Sequence, residues 1–300
     1  MAQPYLKELS ILIPVYNSVC TQLVNHLHQQ AADLGINFEI LVADDGSTDL
    51  SCIDANRTIS ALNGCRFIAR PANTGRAAIR NFLALQAAYA YVLFIDSDMT
   101  VISPDFLSRY LSCLPAQVVD GGVAITAQTE AEERLLRYLY EKAEEPHHTA
   151  HERQKRPYQH LHTANLLIER DIILKYPFDE RLRHYGYEDV LLGKTLQRNH
   201  IRITHVDNPV GFCTFEKNSD FVAKTEEGLR TLYQFRSDLR GYSRLLTLVS
   251  GVHIPAIWWI MRLWHRVFGA TERRNLCGSR PYLLVFKLYR LGYYLSLIEH

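Results

Sequence analysis

None of the six cysteines, Cys20, Cys52, Cys65, Cys113, Cys213 and Cys277, stands in a close pair such as C-x-x-C. Without a disulfide framework to point outward, a reducing cytoplasm is the expected compartment. Long apolar runs are also missing. The stretch from Val252 to Trp264 is interrupted by His253 and Arg262 and falls short of the roughly 20 residues that cross a bilayer. The N-terminus carries no charged, apolar, cleavable leader, and no tract of low complexity occurs anywhere. On these absences neither a disulfide-stapled secreted domain nor a transmembrane span is expected. A nucleic-acid-binding motif is lacking as well.

What is present suits a folded enzyme-sized core. Three hundred residues, 47% hydrophobic and 22% charged, are enough for one large α/β domain with an appended segment. The net charge of +1 hides an asymmetry. Residues 1–229 hold 22 Lys/Arg against 29 Asp/Glu, a balance of −7, whereas residues 230–300 hold 11 against 3, a balance of +8. A basic tail without a nucleic-acid motif points to an anionic membrane surface instead.

The first hundred residues alternate short apolar runs with helical patterns, which predicts β-α-β units and a largely parallel, doubly wound sheet. Strands are expected at Leu9–Val15, Phe38–Ala43, Arg66–Ala69 and Tyr91–Ile95, with helices near 19–34, 48–60 and 76–89. Leu23, Leu27 and Leu34 have the spacing to face the sheet. A fifth strand is expected over Val118–Thr126, a charged helix over Glu130–Glu145, and an irregular mobile loop over Pro146–His160. Asn165–Ile168 is a further apolar run, Glu188–Arg198 a helix and Ile201–Val206 a last strand before helices take over.

Ligands of such sheets bind outside the carboxyl ends of strands, and each strand here ends in polar residues. Asp96 and Asp98 follow Tyr-Val-Leu-Phe-Ile and, two apart in an extended chain, point to the same side. Their oxygens suit Mg2+ or Mn2+, although a strand-ending Asp followed by a helix-capping Asp explains the pair equally well. In Asp44-Asp45-Gly46-Ser47-Thr48-Asp49 the turn and a Ser47 or Thr48 cap account for part of the pattern. Two carboxylates remain, and Asp45 is the choice for a nucleobase N–H or ribose hydroxyl. Asn73-Thr74-Gly75 begins a helix with Arg76 and Arg80 four apart on one face; a solvated helix face is the usual explanation of such a pair, and only its position beside the two acidic loops points to arginines that steady a diphosphate. Glu188 and Asp189 open another helix, where acidic residues also serve stability alone. As a general base Asp189 would have its proton affinity lowered by the helix dipole.

Ser10-Ile-Leu-Ile-Pro-Val-Tyr-Asn17, Val42-Ala-Asp-Asp-Gly-Ser-Thr-Asp49, Asn73-Thr-Gly75, Asp96-Ser-Asp98 and Gly186-Tyr-Glu-Asp189 together resemble family 2 glycosyltransferases of the GT-A (Rossmann-like) fold, in order and spacing, over roughly residues 9–210. The resemblance implies an inverting single displacement on a nucleotide-diphosphate sugar. It implies that Pro14 and Tyr16 border the nucleotide, Asp45 binds the base, Asp98 is the chief Mn2+ or Mg2+ ligand with Asp96 supporting ribose or metal, and Asp189 is the base. Many relatives carry a histidine where Gly211-Phe212 stands, so either His205 or water takes that place or metal binding is weakened; His205 at a strand end otherwise reads as an ordinary structural histidine.

Zinc binding by His147, His148 and His151, with His160 and His162 later, is rejected for lack of Cys or acidic partners at regular spacing. Arg153, Lys155 and Arg156 are instead expected to close over the donor phosphates. In the tail, Ile254, Trp258, Met261, Trp264 and Phe268 lie at helical spacing beside Arg262 and Arg266. The alternatives are helices packed on the catalytic domain or an in-plane membrane contact. The expected organisation is a catalytic domain over 1–215 and a basic, aromatic helical extension over 216–300. The acceptor is expected to be a glycan or a lipid-linked molecule, and the location cytoplasmic, peripheral at the inner face of the plasma membrane if the tail binds lipid. A nucleotidyltransferase is disfavoured because no Gly/Lys-rich triphosphate loop is present. A catalytically weakened glycan-binding or scaffold protein is the rival that Phe212 keeps open.

Overall fold

The computed structural model describes residues 8–251 and 255–298; His253 and Ile254, named above, lie outside them. Among the described residues ten strands run in chain order: β1 (Glu8–Val15), β2 (Asn37–Asp44), β3 (Cys65–Ala69), β4 (Tyr91–Ile95), β5 (Met99–Val101), β6 (Val118–Asp120), β7 (Val123–Ala124), β8 (Asn165–Glu169), β9 (Ile203–His205) and β10 (Val210–Phe212). The main sheet has the order β3-β2-β1-β4-β8-β6-β9, and β5-β10-β7 form a smaller one. Strands β3, β2, β1 and β4 are mutually parallel, and β8 is antiparallel to both neighbours.

Period-two alternation decides which face each side chain joins. Leu9, Ile11, Ile13 and Val15 pack on one side with Leu23, Val24 and Leu27, while Leu12, Leu41 and Phe94 pack on the other with Ile79 and Leu83. Each such buried aliphatic contributes about 1.5–3 kcal/mol relative to exposure. The first helices are α1 (Thr21–Asp33), α2 (Leu50–Arg57) and α3 (Arg76–Gln86). Leu34 departs from its expected place: α1 ends one residue earlier, and Leu34 is exposed while Val24 and Ala31 complete the buried face. The cap of α2 is Asp49, which accepts from Ser51 N–H, rather than Ser47 or Thr48.

Farther along come α4 (Phe106–Ser112), α5 (Leu136–Glu144), α6 (Ala150–Lys155), α7 (Arg170–Lys175) and α8 (Glu188–Arg198). The single strand expected over Val118–Thr126 is split into β6 and β7 by Gly121-Gly122. Gly122 has φ +79°, and a Cβ there would lie 2.6 Å from the Arg153 guanidinium, so the chain turns from one sheet into the other. The irregular loop expected from 146 to 160 holds α6 instead. Arg153 on that helix is buried, with Nη1 at 2.7 Å from Asp120 and Nη2 donating to the Val206 carbonyl. It therefore braces the sheet and does not reach toward phosphates.

The chain closes with α9 (Asn218–Gln234), α10 (Arg244–Gly251), α11 (Pro255–Leu276) and α12 (Leu283–Leu297). Phe221 and Val222 of α9, Leu276 of α11 and Phe286 and Tyr289 of α12 share a core with Leu136 of α5. The C-terminal helices thus pack on the sheet-bearing part. The outer face of α11 is different: Trp259, Ile260 and Val267 are 61%, 57% and 60% exposed.

Candidate active site

Two loops form the rim at the ends of β1 and β2. Asn17, at φ +48°, accepts from the Thr48 and Asp49 N–H groups at 2.9 and 3.0 Å and donates its own N–H to Ser47 Oγ at 2.7 Å. This staple ties the loop after β1, which carries the exposed Tyr16, to the loop after β2. Asp44 is buried and bonded to Ser47 through its N–H and its hydroxyl. Asp45, also buried, accepts from the N–H groups of Thr74 and Gly75, from Thr74 Oγ1 at 2.8 Å and from Arg70 Nη1 at 3.2 Å. These donors occupy both oxygens, so the Asp45 carboxylate ties the rim to the start of α3. Asn73 completes the turn by accepting from Gly75 N–H at 3.0 Å. Gly75 caps α3 at φ +94°, and a Cβ there would meet the Arg183 carbonyl oxygen at 2.9 Å.

Beyond the rim, a cavity of about 460 Å3 opens between the ends of β4 and β10 and the helices α5, α8, α9 and α12. Asp96 and Asp98 both line it, in unlike states. Asp96 is buried, with one oxygen 2.6 Å from Arg76 Nη2 and the other 2.5 Å from Arg80 Nη2. Burial works to raise its carboxyl, but the Arg80 and Arg76 guanidiniums outweigh that and hold it below the usual range. Asp98 is exposed to the cavity and has no hydrogen bond or ion pair from its carboxylate to a described residue. Desolvation by the cavity walls, and then the Asp96 charge, hold it above the usual range.

Glu188 completes the arginine network, with Arg76 Nε at 2.7 Å and Arg80 Nη1 at 3.6 Å. Arg80 is only 1% exposed, so its guanidinium steadies Asp96 and Glu188; contrary to the expectation of a diphosphate contact, it does not face the cavity. Arg76 does face it. Tyr187, at φ +71°, turns the chain so that Glu188 and Asp189 enter α8 on the cavity side. Here the dipole expectation is corrected. Burial, followed by the Glu188 charge, pushes Asp189 up to about 6, against the lowering by His162 and the Val190 N–H.

His205 is placed elsewhere. Its Nε2 is 3.0 Å from the Pro157 carbonyl and its Nδ1 faces Arg153 and Asp120, and it does not line the cavity. Phe212 does line it, beneath the Arg137 guanidinium at 4.6 Å from the ring centre. No three His, Cys, Asp or Glu side chains among the described residues stand together as a metal cluster. Among the described carboxylates that line the cavity, that of Asp98 is the one free of hydrogen bonds and ion pairs, and it suits a hard cation whose other ligands are water and phosphate oxygens, a common arrangement for Mg2+.

Several lining residues carry no local sequence signal. Arg137 and Lys224 share Glu216, Arg137 at 2.8 Å. His162 lies 3.3 Å from Asp120; burial opposes its charge, but Asp120 raises it above the usual imidazole range. Tyr140, Phe286 and Arg290 come from α5 and α12, some 150 residues apart in sequence. Only long-range packing brings them together.

A family model described as glycosyl transferase family 2 matches residues 10–176. A Haemophilus influenzae protein described as an uncharacterized glycosyltransferase is 35% identical over 107 residues, 35% of this chain and 41% of that protein, so the match spans less than half of the relative. The crystal structure of S. aureus TarS 1–349 superposes with a TM-score of 0.51 at 18% identity, covering 97% of this chain and 90% of that one. The same fragment is also solved in complex with UDP-GlcNAc, with a TM-score of 0.50 at 18% identity and the same coverage. Mannosyltransferase PcManGT from Pyrobaculum calidifontis, solved with GDP-Man and Mn2+, gives 0.51 at 12% identity, covering 96% and 84%. At these identities the structural likeness is one of fold: a mostly parallel sheet flanked by helices.

Proposed function

The chain belongs to glycosyl transferase family 2, and from that premise we propose that it moves a sugar from a nucleotide-diphosphate donor to a hydroxyl of a glycan or lipid-linked acceptor, with inversion. The observation that carries the reading is the pairing, in one cavity, of a free carboxylate at Asp98 with a proton-accepting one at Asp189. UDP-GlcNAc and GDP-Man in the structural relatives support a donor of this class. Asp45, Asn73 and Gly75 shape the nucleotide rim together with Pro14, Tyr16 and Asp44.

In the proposed reaction the acceptor oxygen bonds to the anomeric carbon as the bond from that carbon to the diphosphate oxygen breaks. The acceptor proton passes to Asp189. At about 6, its carboxyl is matched to a general base near neutral pH better than an ordinary aspartate is. Glu188 and Arg76 position α8 against Asp96, and no covalent intermediate is needed. A Mg2+ or Mn2+ ion held by Asp98 would neutralise charge on the departing diphosphate. Arg76, Arg137 and Lys224 supply positive charge on the same wall.

The tail fits the second half of the reading, a contact with an anionic bilayer that brings the enzyme to a lipid-linked acceptor. The exposed stripe of α11 carries Trp259, Ile260, Leu263 and Val267 beside the exposed Arg266, a combination suited to lying in a lipid interface. No helix among the described residues is long and apolar enough to cross a membrane.

The test is product formation from a panel of nucleotide sugars with Mn2+ present and after chelation, alongside equilibrium dialysis of Mn2+ with nucleotide. Transfer that depends on Asp189 supports the enzyme. Donor binding without transfer or hydrolysis under any condition would favour the scaffold reading that Phe212 suggests.

A further inference from the structure

Four lysines and arginines line the cavity, and three of them have a carboxylate partner. Arg76 is held by Asp96 and Glu188, and Arg137 and Lys224 by Glu216. Arg290 is the exception. It has no carboxylate within 4 Å among the described residues, and its one hydrogen bond goes from Nη1 to Tyr140 Oη at 3.1 Å. Glu144, whose charge reaches it, is itself engaged by Arg244 at 3.2 Å. A guanidinium has five N–H donors, so most of this fork is unused. The Tyr140 and Phe286 ring centres each stand 5.4 Å from its central carbon, so the two rings hold the guanidinium in place without satisfying its donors.

A half-buried, preorientated guanidinium without a counter-charge is a site for an anion, and a planar fork matches phosphate oxygens two at a time. Its position identifies the anion's owner. Arg290 shares the cavity with the base Asp189, and Tyr187, the residue that turns the chain into α8, lines the same wall. The helix that carries Arg290, α12, packs against α11, whose opposite face is the apolar stripe. One hairpin therefore presents a cation inward and lipid-compatible side chains outward.

We infer that Arg290, with Tyr140 and Phe286, forms an acceptor subsite for a phosphate group, so that the acceptor is a phosphate-bearing sugar or a phosphate-linked lipid. The inference rests on the transferase reading above and adds the acceptor's charge to it. Because the donor also carries phosphates, the subsite is read with the donor site filled.

Thermal-shift titration first identifies a nucleoside diphosphate that stabilises the protein; if none does, the transferase reading itself is overturned and this inference with it. With that nucleotide saturating, glucose 6-phosphate and a micellar polyprenyl phosphate are titrated by calorimetry, with glucose and glucuronate as controls. Binding of either phosphate probe, at least tenfold tighter than glucose or glucuronate, is expected. Tighter binding of the polyprenyl compound identifies the lipid source, and tighter binding of glucose 6-phosphate the sugar source. Arg290→Gln should weaken the phosphate probe at least tenfold while nucleotide affinity stays within twofold, and Arg290→Lys should recover part of the loss. Binding of nucleotide without discrimination between phosphate and neutral probes overturns the subsite. So does equal phosphate binding by the wild type and Arg290→Gln, or glucuronate binding as tightly as phosphate. The wild-type comparison stands even where Arg290→Gln does not fold.

Discussion

The carboxylates at the strand ends and those facing the helical wall are built to opposite rules. Asp44, Asp45 and Asp96 end β2 and β4 with their oxygens taken by the chain's own donors: Ser47, then Thr74, Gly75 and Arg70, then Arg76 and Arg80. Asp98 has no such partner, and Asp189 accepts only from the N–H of the next residue, Val190. A buried polar group that is fully bonded fixes geometry, whereas one left short of partners costs stability. The rim therefore holds its shape unaided. The groups facing the wall keep bonding capacity for something that arrives, and the unpaired Arg290 is their cationic counterpart.

The widest gap should appear on removal of the wall carboxylates. Asp189→Asn and Asp98→Asn are each expected to lower turnover by about 10^3-fold or more, with little loss of folding stability. Steady-state kinetics beside thermal melts reads both quantities. If either variant keeps full activity, or loses its fold as a rim variant does, the contrast between the two regions collapses.

Next in size is the buried anchor beneath the wall. Asp120 lies fully buried against Arg153 at 2.7 Å and accepts from the N–H groups of Gly122 and His162. Removing one partner of a buried pair costs about 3–5 kcal/mol, so Arg153→Met should show that loss in denaturant melts. The pair is also sensitive to acid. Burial tends to raise Asp120, but His162, Arg153 and His205 outweigh it and lower the carboxyl to about 2. Its stabilisation is present above the ordinary carboxylate range and is lost as pH falls toward 2. Arg153→Met should therefore narrow its deficit in strong acid, and a deficit independent of pH would separate Arg153 from this role.

On the rim itself, Asp45→Asn is expected to cost about 2–3 kcal/mol, since an amide cannot accept from Thr74, Gly75 and Arg70 as a carboxylate does. Nucleotide affinity measured alongside stability sharpens the point. A loss of affinity with unchanged stability would make Asp45 a base contact and not a tie.

Legibility in the sequence follows the same division. Strands β1 to β4 were readable because two buried faces dictate short, nearly continuous apolar runs such as Leu9–Val15 and Tyr91–Ile95, and each motif is a local run of residues. The state of each motif residue was not readable. Asp96 and Asp98 are equivalent in sequence, and only the arrival of Arg76 and Arg80 from α3 makes one bonded and the other free. The bracing role of Arg153 depends on Asp120, 33 residues away, and an arginine in a polar segment looks like a solvated one. Arg290 belongs to a tail whose charge suggested a membrane, and its approach to Tyr140 is fixed by the packing of α12 against α5 and α9.

The smallest effect has the least intuitive sign. Burial and Glu188 raise Asp189 to about 6, above the usual aspartate value near 4 that the unfolded chain would show. Below that lower value the group is protonated in both states and costs nothing. As pH rises through about 6 the folded protein must either carry a poorly solvated charge or hold a proton that the unfolded chain releases, and stability falls. Asp189→Asn removes the charge, so it should be more stable than the wild type by on the order of 1–3 kcal/mol at pH 7.5 and by little at pH 4. The same titration predicts that turnover falls below about pH 6, as the base becomes protonated. A variant that is inactive yet more stable only at the higher pH would show that the wall carboxylate is kept against the interest of the fold. A variant less stable at pH 7.5 than at pH 4, relative to wild type, would place Asp189 with the bonded residues of the rim.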